Sequence, residues 1–262
     1  MRINLFILLF ISTSAFSQGK YSLIKTIEVE CDFFTTDNQS NVYTVKANEL
    51  TKYNKDGKLL YKYSNKNYGN ITSVDASNML RILIFYKQFS QVIYLDNTLS
   101  ENGEVINLIY SDLFLPPLVC SSYDNGMWVY DLQSASIIRF DKTVHYMENA
   151  VNLAPLAIEI FEPLSMIEYD NRFYVNNPSS GILIFDIYGT YYKTVPVKNS
   201  SCFQVRGEWV YCLFDKKVKA YNIKTTEEKE FEMPISDFKS FRLEMDVLML
   251  QSDKSISLFS SK

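Results

Sequence analysis

The sequence is poor in histidine, glycine and proline, and these shortages exclude several kinds of protein. Its single histidine, His145, excludes zinc sites built from several histidines and leaves only one candidate partner for a catalytic serine. There is no glycine-rich phosphate loop and no clustered cysteine motif. Eight glycines and seven prolines are too few for collagen-like or low-complexity sequence. A net charge of −4 gives no electrostatic reason to expect nucleic acid or anionic lipid as a partner.

Long apolar runs are also missing, apart from one at the N-terminus. Arg2 precedes a stretch, residues 3–11, that is apolar except for Asn4, and small residues at Ala15 and Ser17 follow. This pattern predicts a secretory signal peptide over 1–17, which leaves a propeller domain over 18–262. The run is too short to span about 30 Å of hydrocarbon, so we expect no membrane insertion after cleavage. The predicted location is the periplasm, and the alternative is the extracellular space or the cell surface.

The four cysteines are few enough to consider one by one. They are Cys31, Cys120, Cys202 and Cys212. Exported cysteines often pair, and Cys202 and Cys212 lie symmetrically about Gly207, so a hairpin there would place them nearly opposite each other. Cross-strand disulfides are strained, and each cysteine lies in an apolar, strand-like stretch. We therefore expect buried free thiols, with a disulfide between Cys202 and Cys212 as the alternative.

Aromatic residues are plentiful, and they mark a repeat. Nineteen tyrosines and eighteen phenylalanines favour strands. A strand that ends in an aromatic residue before a polar turn occurs six times, at Tyr53, Tyr94, Phe140, Phe185, Tyr221 and Phe259. The spacings of 41, 46, 45, 36 and 38 residues indicate a solenoid, propeller or array.

Each repeat contains four strand-like segments, which predicts an all-β, six-bladed β-propeller with four-stranded blades. Two short segments joined by an Asx or glycine turn precede each aromatic strand, as in FFTTDNQSNVYTV at 33–45, and a fourth segment follows it. Only residues 149–162 are compatible with a helical turn. The sixth repeat supplies three strands, and an extra strand-like segment at 21–30 precedes the first repeat. We expect this N-terminal strand to close the last blade and so cover its open edge.

The first repeat, FFTTDNQSNVYTV followed by LTKYNKDGKLL, resembles the NHL-type propeller repeat. The resemblance extends over about 21–262, although only the first repeat matches well, and KANELTKY replaces the usual stretch before the third strand. The signal peptide and the composition rich in Asn, Lys, Tyr and Phe resemble exported propellers of Bacteroidota-type bacteria. That resemblance implies the fold and an exported location, and it implies no particular activity.

Lactonase-like propellers also resemble this architecture, and they hold calcium over the central channel with Glu, Asn and Asp. The positions that match are Asp37, Asp75, Glu168 and Asn176. Calcium needs six to eight converging oxygens, and most of these Asp residues lie where an inner hairpin turn needs an Asx residue. We therefore predict no metal, no cofactor and no catalytic residue. Arginines spread among the blades are expected to be solvated, with an anion site as the alternative (Arg81, Arg139, Arg172, Arg206, Arg242).

The two longest spacings lie on either side of the third blade. Their extra residues fall in two apolar segments, 105–119 and 148–165, which are expected to connect outer strands to the next inner strands. Such connections emerge on one face of a propeller, and an exposed apolar patch marks an interaction site. The candidate partner-binding residues are Phe89, Leu113, Phe114, Leu115, Ile158, Ile160 and Phe161. The alternative is that these side chains pack against the blade edges.

These observations favour a non-enzymatic exported propeller that binds a protein partner, because a rigid disc carries recognition on its loops. A periplasmic location suggests an accessory subunit of a cell-envelope or outer-membrane assembly, such as a secretion translocon, by analogy with architecture alone. Two alternatives remain open. One is a calcium-dependent lactonase-like hydrolase, and the other is a propeller that binds a small molecule or glycan through exposed aromatic rings.

Overall fold

Each of the six repeats folds into one four-stranded antiparallel sheet, which confirms the predicted six-bladed β-propeller. The computed structural model describes residues 21–111, 113, 116–143, 147–153, 156, 158 and 161–261. Short 3-10 turns lie between strands in the described part of the chain, among them Lys66–Tyr68, Lys87–Phe89, Leu108–Ser111 and Tyr123–Asn125. Within 149–162, the stretch compatible with a helical turn, the residues up to Asn152 belong to the strand Met147–Asn152, and Leu156 lies in a 3-10 turn. No helix in the described part of the chain is long and apolar enough to cross a membrane.

The first three blades follow one another along the chain. Blade 1 contains β2 (Phe33–Thr36), β3 (Val42–Lys46), β4 (Glu49–Tyr53) and β5 (Leu59–Ser64). Blade 2 contains β6 (Ser73–Asp75), β7 (Ile82–Tyr86), β8 (Gln91–Leu95) and β9 (Ile106–Asn107). Blade 3 contains β10 (Leu118–Ser121), β11 (Met127–Asp131), β12 (Ser136–Phe140) and β13 (Met147–Asn152).

The last three blades follow the same plan, and the N-terminal strand completes the sixth. Blade 4 contains β14 (Ser165–Tyr169), β15 (Arg172–Asn177), β16 (Gly181–Asp186) and β17 (Tyr191–Val195). Blade 5 contains β18 (Cys202–Arg206), β19 (Trp209–Phe214), β20 (Lys217–Asn222) and β21 (Glu228–Phe231). Blade 6 contains β22 (Ser240–Glu244), β23 (Val247–Gln251) and β24 (Ser255–Ser261), and β1 (Tyr21–Glu28) pairs with β24 as its outermost strand, as predicted.

The hydrophobic core is divided among the six seams between neighbouring blades. All six repeated aromatic residues lie on the third strands, and one apolar cluster fills each seam. In the seam between blades 3 and 4, for example, Trp128 stacks on Phe173 with ring centroids 4.6 Å apart. Because successive strand residues point to opposite faces, each blade fills two seams.

The register within blade 5 separates the two cysteines that the sequence places symmetrically. Phe203 pairs with Cys212, and Cys202 pairs with Leu213, so the cysteines are offset by one residue and are not opposite each other. Cys212 packs in the seam between blades 4 and 5, whereas Cys202 packs in the seam between blades 5 and 6. Because the side chains point to opposite faces of the sheet, the geometry opposes a disulfide between them.

The antiparallel strand order defines two faces of the disc. Turns between first and second strands emerge on one face, called here the turn face. Turns between second and third strands emerge on the opposite face, together with the connections to the next blade, and this is called the connection face. The two long connections are shorter than the sequence suggested, at 108–117 and 153–164, because parts of both predicted segments belong to β9 and β13.

Candidate functional site

A channel of about 700 Å³ runs through the centre of the molecule, and all six innermost strands line it. This volume falls in the range of about 300–1,000 Å³ that is usual for small-molecule sites. Towards the turn face the channel carries most of its charge, from Asp75, Glu168, Arg206, Arg242 and Glu244.

Glu168 and Asp75 hold blade 3 from the two neighbouring blades. Glu168 accepts hydrogen bonds from Ser122 Oγ (2.6 Å), the Tyr123 N–H (2.9 Å) and Trp128 Nε1 (2.6 Å). Asp75 accepts a bond from the Ser121 N–H at 2.8 Å. Both carboxylates therefore accept hydrogen bonds from donors of blade 3. Neither is positioned by a ligand that the two would share.

Gln204 and Glu244 make similar links across the seams on either side of blade 6. Gln204 accepts a bond from the Leu243 N–H at 2.8 Å and donates to Glu244 Oε1 at 2.7 Å. The same Glu244 oxygen accepts a bond from Thr36 Oγ1 at 2.7 Å, so it joins the last blade to the first. Burial raises the pKa of Glu244 above its usual value, while Thr36, Arg206, Arg242 and Gln204 oppose that rise.

Of the other two candidate calcium ligands, Asp37 also lines the channel and Asn176 does not. Asp37 caps its own turn, where Oδ1 accepts bonds from the N–H groups of Gln39 and Asn41 and Oδ2 accepts a bond from Tyr43. Asn176 is buried on β15 and donates to the Ser200 carbonyl. Among the described residues, no group of three or more His, Cys, Asp and Glu side chains could hold a metal ion. His145 lies outside the described residues.

The five arginines have different environments, so the expectation of solvated side chains is wrong for one of them. Arg139 is fully buried, donates to Ser122 Oγ (2.8 Å) and the Tyr123 carbonyl (2.7 Å), and stacks on the Tyr123 ring. Arg172 pairs with Glu208, and Arg81 lies over a tyrosine ring in its own blade. Arg206 and Arg242 line the channel.

The predicted partner-binding residues do not form one exposed set. Phe89 is exposed in the turn between β7 and β8 on the connection face. Leu113 is only 3% exposed and packs in the seam between blades 2 and 3. Ile158 and Phe161 are partly buried against the seam between blades 3 and 4, where Phe161 contacts Tyr130 edge to face. Phe114, Leu115 and Ile160 lie outside the described residues.

Other large apolar residues are exposed on the connection face instead. Tyr110 is 87% exposed, Leu132 is 61% exposed, and Ile109 and Leu164 are also exposed. They lie in the two long connections and in the turn between β11 and β12. With Phe89 they form what is called here the connection-face patch, over blades 2 to 4. The sequence did not separate residues that point outward from residues that pack inward, and a docking role for this face stays a prediction.

A second concavity, called here the 5/6 cleft, opens between blades 5 and 6. Its volume is about 190 Å³. Most of its lining is apolar, and six side chains form the main part of it (Val218, Phe231, Met233, Phe241, Leu243, Leu248). Arg206, Tyr211, Tyr21 and Met245 complete the lining, and Arg206 and Met245 also line the channel. No sequence pattern indicated this cleft, because its walls come from both ends of the chain.

Comparison with known proteins identifies the fold of this chain but does not assign it to a family. No protein-family model matches the sequence, and no curated protein is similar to it. Among solved structures, a streptogramin B lyase matches 92% of this chain and 98% of its own, at 10% identity and a TM-score of 0.61. A gluconolactonase from Xanthomonas campestris matches 90% and 89%, at 11% identity and a TM-score of 0.63. BamB from Moraxella catarrhalis matches 92% and 98%, at 12% identity and a TM-score of 0.54.

These similarities support the six-bladed propeller and leave the function open. At such low identity the likeness concerns the fold alone, and one fold hosts many functions. Two of the similar structures are named for a reaction, and BamB is not. The NHL-type resemblance of the first repeat stays a prediction.

Proposed function

We propose that this protein is an exported, non-enzymatic propeller that binds a protein partner through its connection face. The observation that carries the proposal is the connection-face patch, where five large apolar side chains are exposed on one face over three adjacent blades. Large exposed apolar patches on soluble proteins mark interaction sites, whereas scattered single residues do not. A propeller also holds its loops on a rigid support, which lowers the entropic cost of binding.

The predicted signal peptide and the absence of a second long apolar run support a partner in the cell envelope. We propose a periplasmic accessory subunit of an outer-membrane assembly, with a secretion translocon as one candidate host. The structural likeness to BamB agrees with this class, although it does not choose among hosts. Resemblance to exported propellers of Bacteroidota-type bacteria supports the same location.

A calcium-dependent hydrolase is the second candidate, and the geometry favours it less. The fold is shared with a gluconolactonase, and the channel has room for a small substrate. However, Asp37, Asp75 and Glu168 already accept hydrogen bonds from their own turn or from the neighbouring blade. A calcium ion would compete with these bonds, and those of Asp75 and Glu168 connect neighbouring blades.

The test is an affinity purification of the tagged mature protein from gently solubilised envelopes of the native host, followed by mass spectrometry. We expect a stoichiometric envelope protein to co-purify with the wild type. The variant Tyr110→Asp/Leu132→Asp places two charges in the patch, so it is expected to lose that partner. Both side chains are largely exposed, so the variant is expected to fold.

The matched control is Leu80→Asp, because Leu80 is 64% exposed but lies in the turn between β6 and β7 on the turn face. This variant is expected to retain the partner. Equal loss from both variants would show a general effect of charge and would contradict a docking role for the connection face. A purification that yields no stoichiometric partner from any envelope fraction would contradict the proposed function itself.

A further inference from the structure

The seam between blades 5 and 6 is packed differently from the other five. Seven partly buried apolar residues lie against its core cluster, compared with at most four at any other seam in the described part of the chain. The 5/6 cleft is the space that these side chains leave. Since a water-sized group takes about 30 Å³, its volume of about 190 Å³ has room for about six carbon-sized groups.

Two polar groups, Arg206 and Tyr211, line the cleft, and Arg206 lies at the turn-face end of β18. Arg206 donates one hydrogen bond, to the Met245 carbonyl at 3.0 Å, and no carboxylate among the described residues forms an ion pair with it. A guanidinium has five N–H donors, so most of those of Arg206 remain available. Arg206 lies close enough to Tyr211 to oppose the rise in pKa that burial causes in that tyrosine.

The turn beside Arg206 places an apolar side chain at the mouth of the cleft. Met245 has φ 47°, in the left-handed region that disfavours an ordinary side chain, and it is 61% exposed. The equivalent turn position in blade 5 is Gly207, with φ 53°, where a glycine removes that cost. Asp170 has the same conformation in the equivalent turn of blade 4, with φ 48°, so what distinguishes Met245 is its flexible apolar side chain where the cleft meets the channel.

We propose that the 5/6 cleft binds a small amphiphilic carboxylate, with its acyl chain in the cleft and its carboxylate on Arg206 and Tyr211. A carboxylate matches the fork of a guanidinium, and an apolar chain of about six carbons matches the volume. Glu244 lies near enough for its charge to interact with that of Arg206, but its Oε1 accepts bonds from Thr36 and Gln204, so the N–H donors of Arg206 stay available to a ligand. This site lies apart from the connection-face patch and does not depend on the proposed partner.

The test is calorimetric titration of the mature protein with heptanoate, heptan-1-ol and acetate. Heptanoate is expected to bind with a dissociation constant in the millimolar range or below. Heptan-1-ol is expected to bind at least tenfold more weakly because it lacks the charge, and acetate is expected to show no binding because it lacks the chain. Failure of heptanoate to bind, or equal binding of acetate, would overturn the proposal.

Three variants locate the site. Arg206→Gln is expected to weaken heptanoate binding at least tenfold and to leave heptan-1-ol unchanged. Arg242→Gln is the matched control, since Arg242 lines the channel but not the cleft, and it is expected to bind heptanoate as the wild type does. Equal weakening by both variants would assign the carboxylate to the channel and refute the cleft. Leu243→Phe, which fills the cleft, is expected to weaken both ligands.

Discussion

Glu168 illustrates, at the scale of a single residue, how a carboxylate that looks like a metal ligand serves as a link between blades. Its replacement in Glu168→Ala leaves the donors of Ser122, Tyr123 and Trp128 without an acceptor. We expect the free energy of unfolding to fall by about 3–5 kcal/mol, because partly buried donors left unpaired are costly. Urea unfolding followed by tryptophan fluorescence measures this loss.

The control for Glu168→Ala is Glu230→Ala. Glu230 is exposed and pairs with Lys217 at the surface, so a change in the free energy of unfolding below about 0.5 kcal/mol is expected. A calcium-dependent stability would contradict this structural role of Glu168. If millimolar calcium raised the unfolding midpoint of the wild type and not of Glu168→Ala, Glu168 would be a calcium ligand and the hydrolase candidate would gain weight.

The raised pKa of Glu244 predicts that this residue stabilises the folded state less as the pH rises. Its pKa is raised by burial, so the folded state holds this proton more tightly than the unfolded state does. The contribution of Glu244 to stability is therefore present at low pH and is lost as the pH rises through the folded-state pKa. The variant Glu244→Gln keeps an acceptor oxygen for Thr36 and removes the titration, so its unfolding midpoint relative to the wild type is expected to rise between pH 4 and pH 8. A constant difference across that range would contradict the raised pKa.

At the scale of elements, the turns between third and fourth strands fix how blades pack on one another. Gly189, between β16 and β17, has φ 84°, and a side-chain carbon there would lie 2.5 Å from Val151 Cγ2 on the outer strand of blade 3. Gly189→Ala therefore meets both backbone strain and a clash in the seam.

Gly207→Ala separates these two effects, because Gly207 also has a positive φ but has open space around its missing side chain. Backbone strain alone costs about 1–2 kcal/mol. Gly189→Ala is expected to cost at least about 1 kcal/mol more than Gly207→Ala in thermal or urea unfolding, from the displacement of buried Val151. Equal losses would mean that the seam accommodates the extra carbon.

The blades were predictable from the sequence because their signals are local. Strand period, aromatic position and turn chemistry all act within about ten residues, and every predicted inner, second and third strand is present. The surfaces were less predictable, because exposure depends on the neighbouring blade. Leu113 and Phe161 lie in apolar connections, as does Tyr110, yet only Tyr110 points outward. The 5/6 cleft was not predictable, since its walls include Tyr21 and residues more than 180 positions later.

At the scale of the whole molecule, β1 joins the first and last blades of the propeller. Ile27 of β1 packs with Phe34 of blade 1 and Met249 of blade 6, and Glu244 binds Thr36 across the same seam. The ring is therefore closed in two ways, by strand pairing within blade 6 and by the covalent link from β1 to β2. Deletion of β1 removes both, exposes the edge of β24, and is expected to give an aggregating protein.

A circular permutant separates the two contributions. Because Tyr21 pairs with Ser261, an Asn-Gly turn between residues 261 and 21 would make β24 and β1 an ordinary hairpin, with new ends between residues 28 and 29. This chain keeps the strand pairing and loses only the covalent link. We expect a folded monomer with the parent's circular dichroism, but with faster amide exchange in β22, β23 and β24, because the seam beside blade 1 is then closed by side chains alone. Equal protection in the two chains would show that packing around Ile27, Phe34 and Met249 suffices to close the ring, and an aggregating permutant would show that the link itself is required.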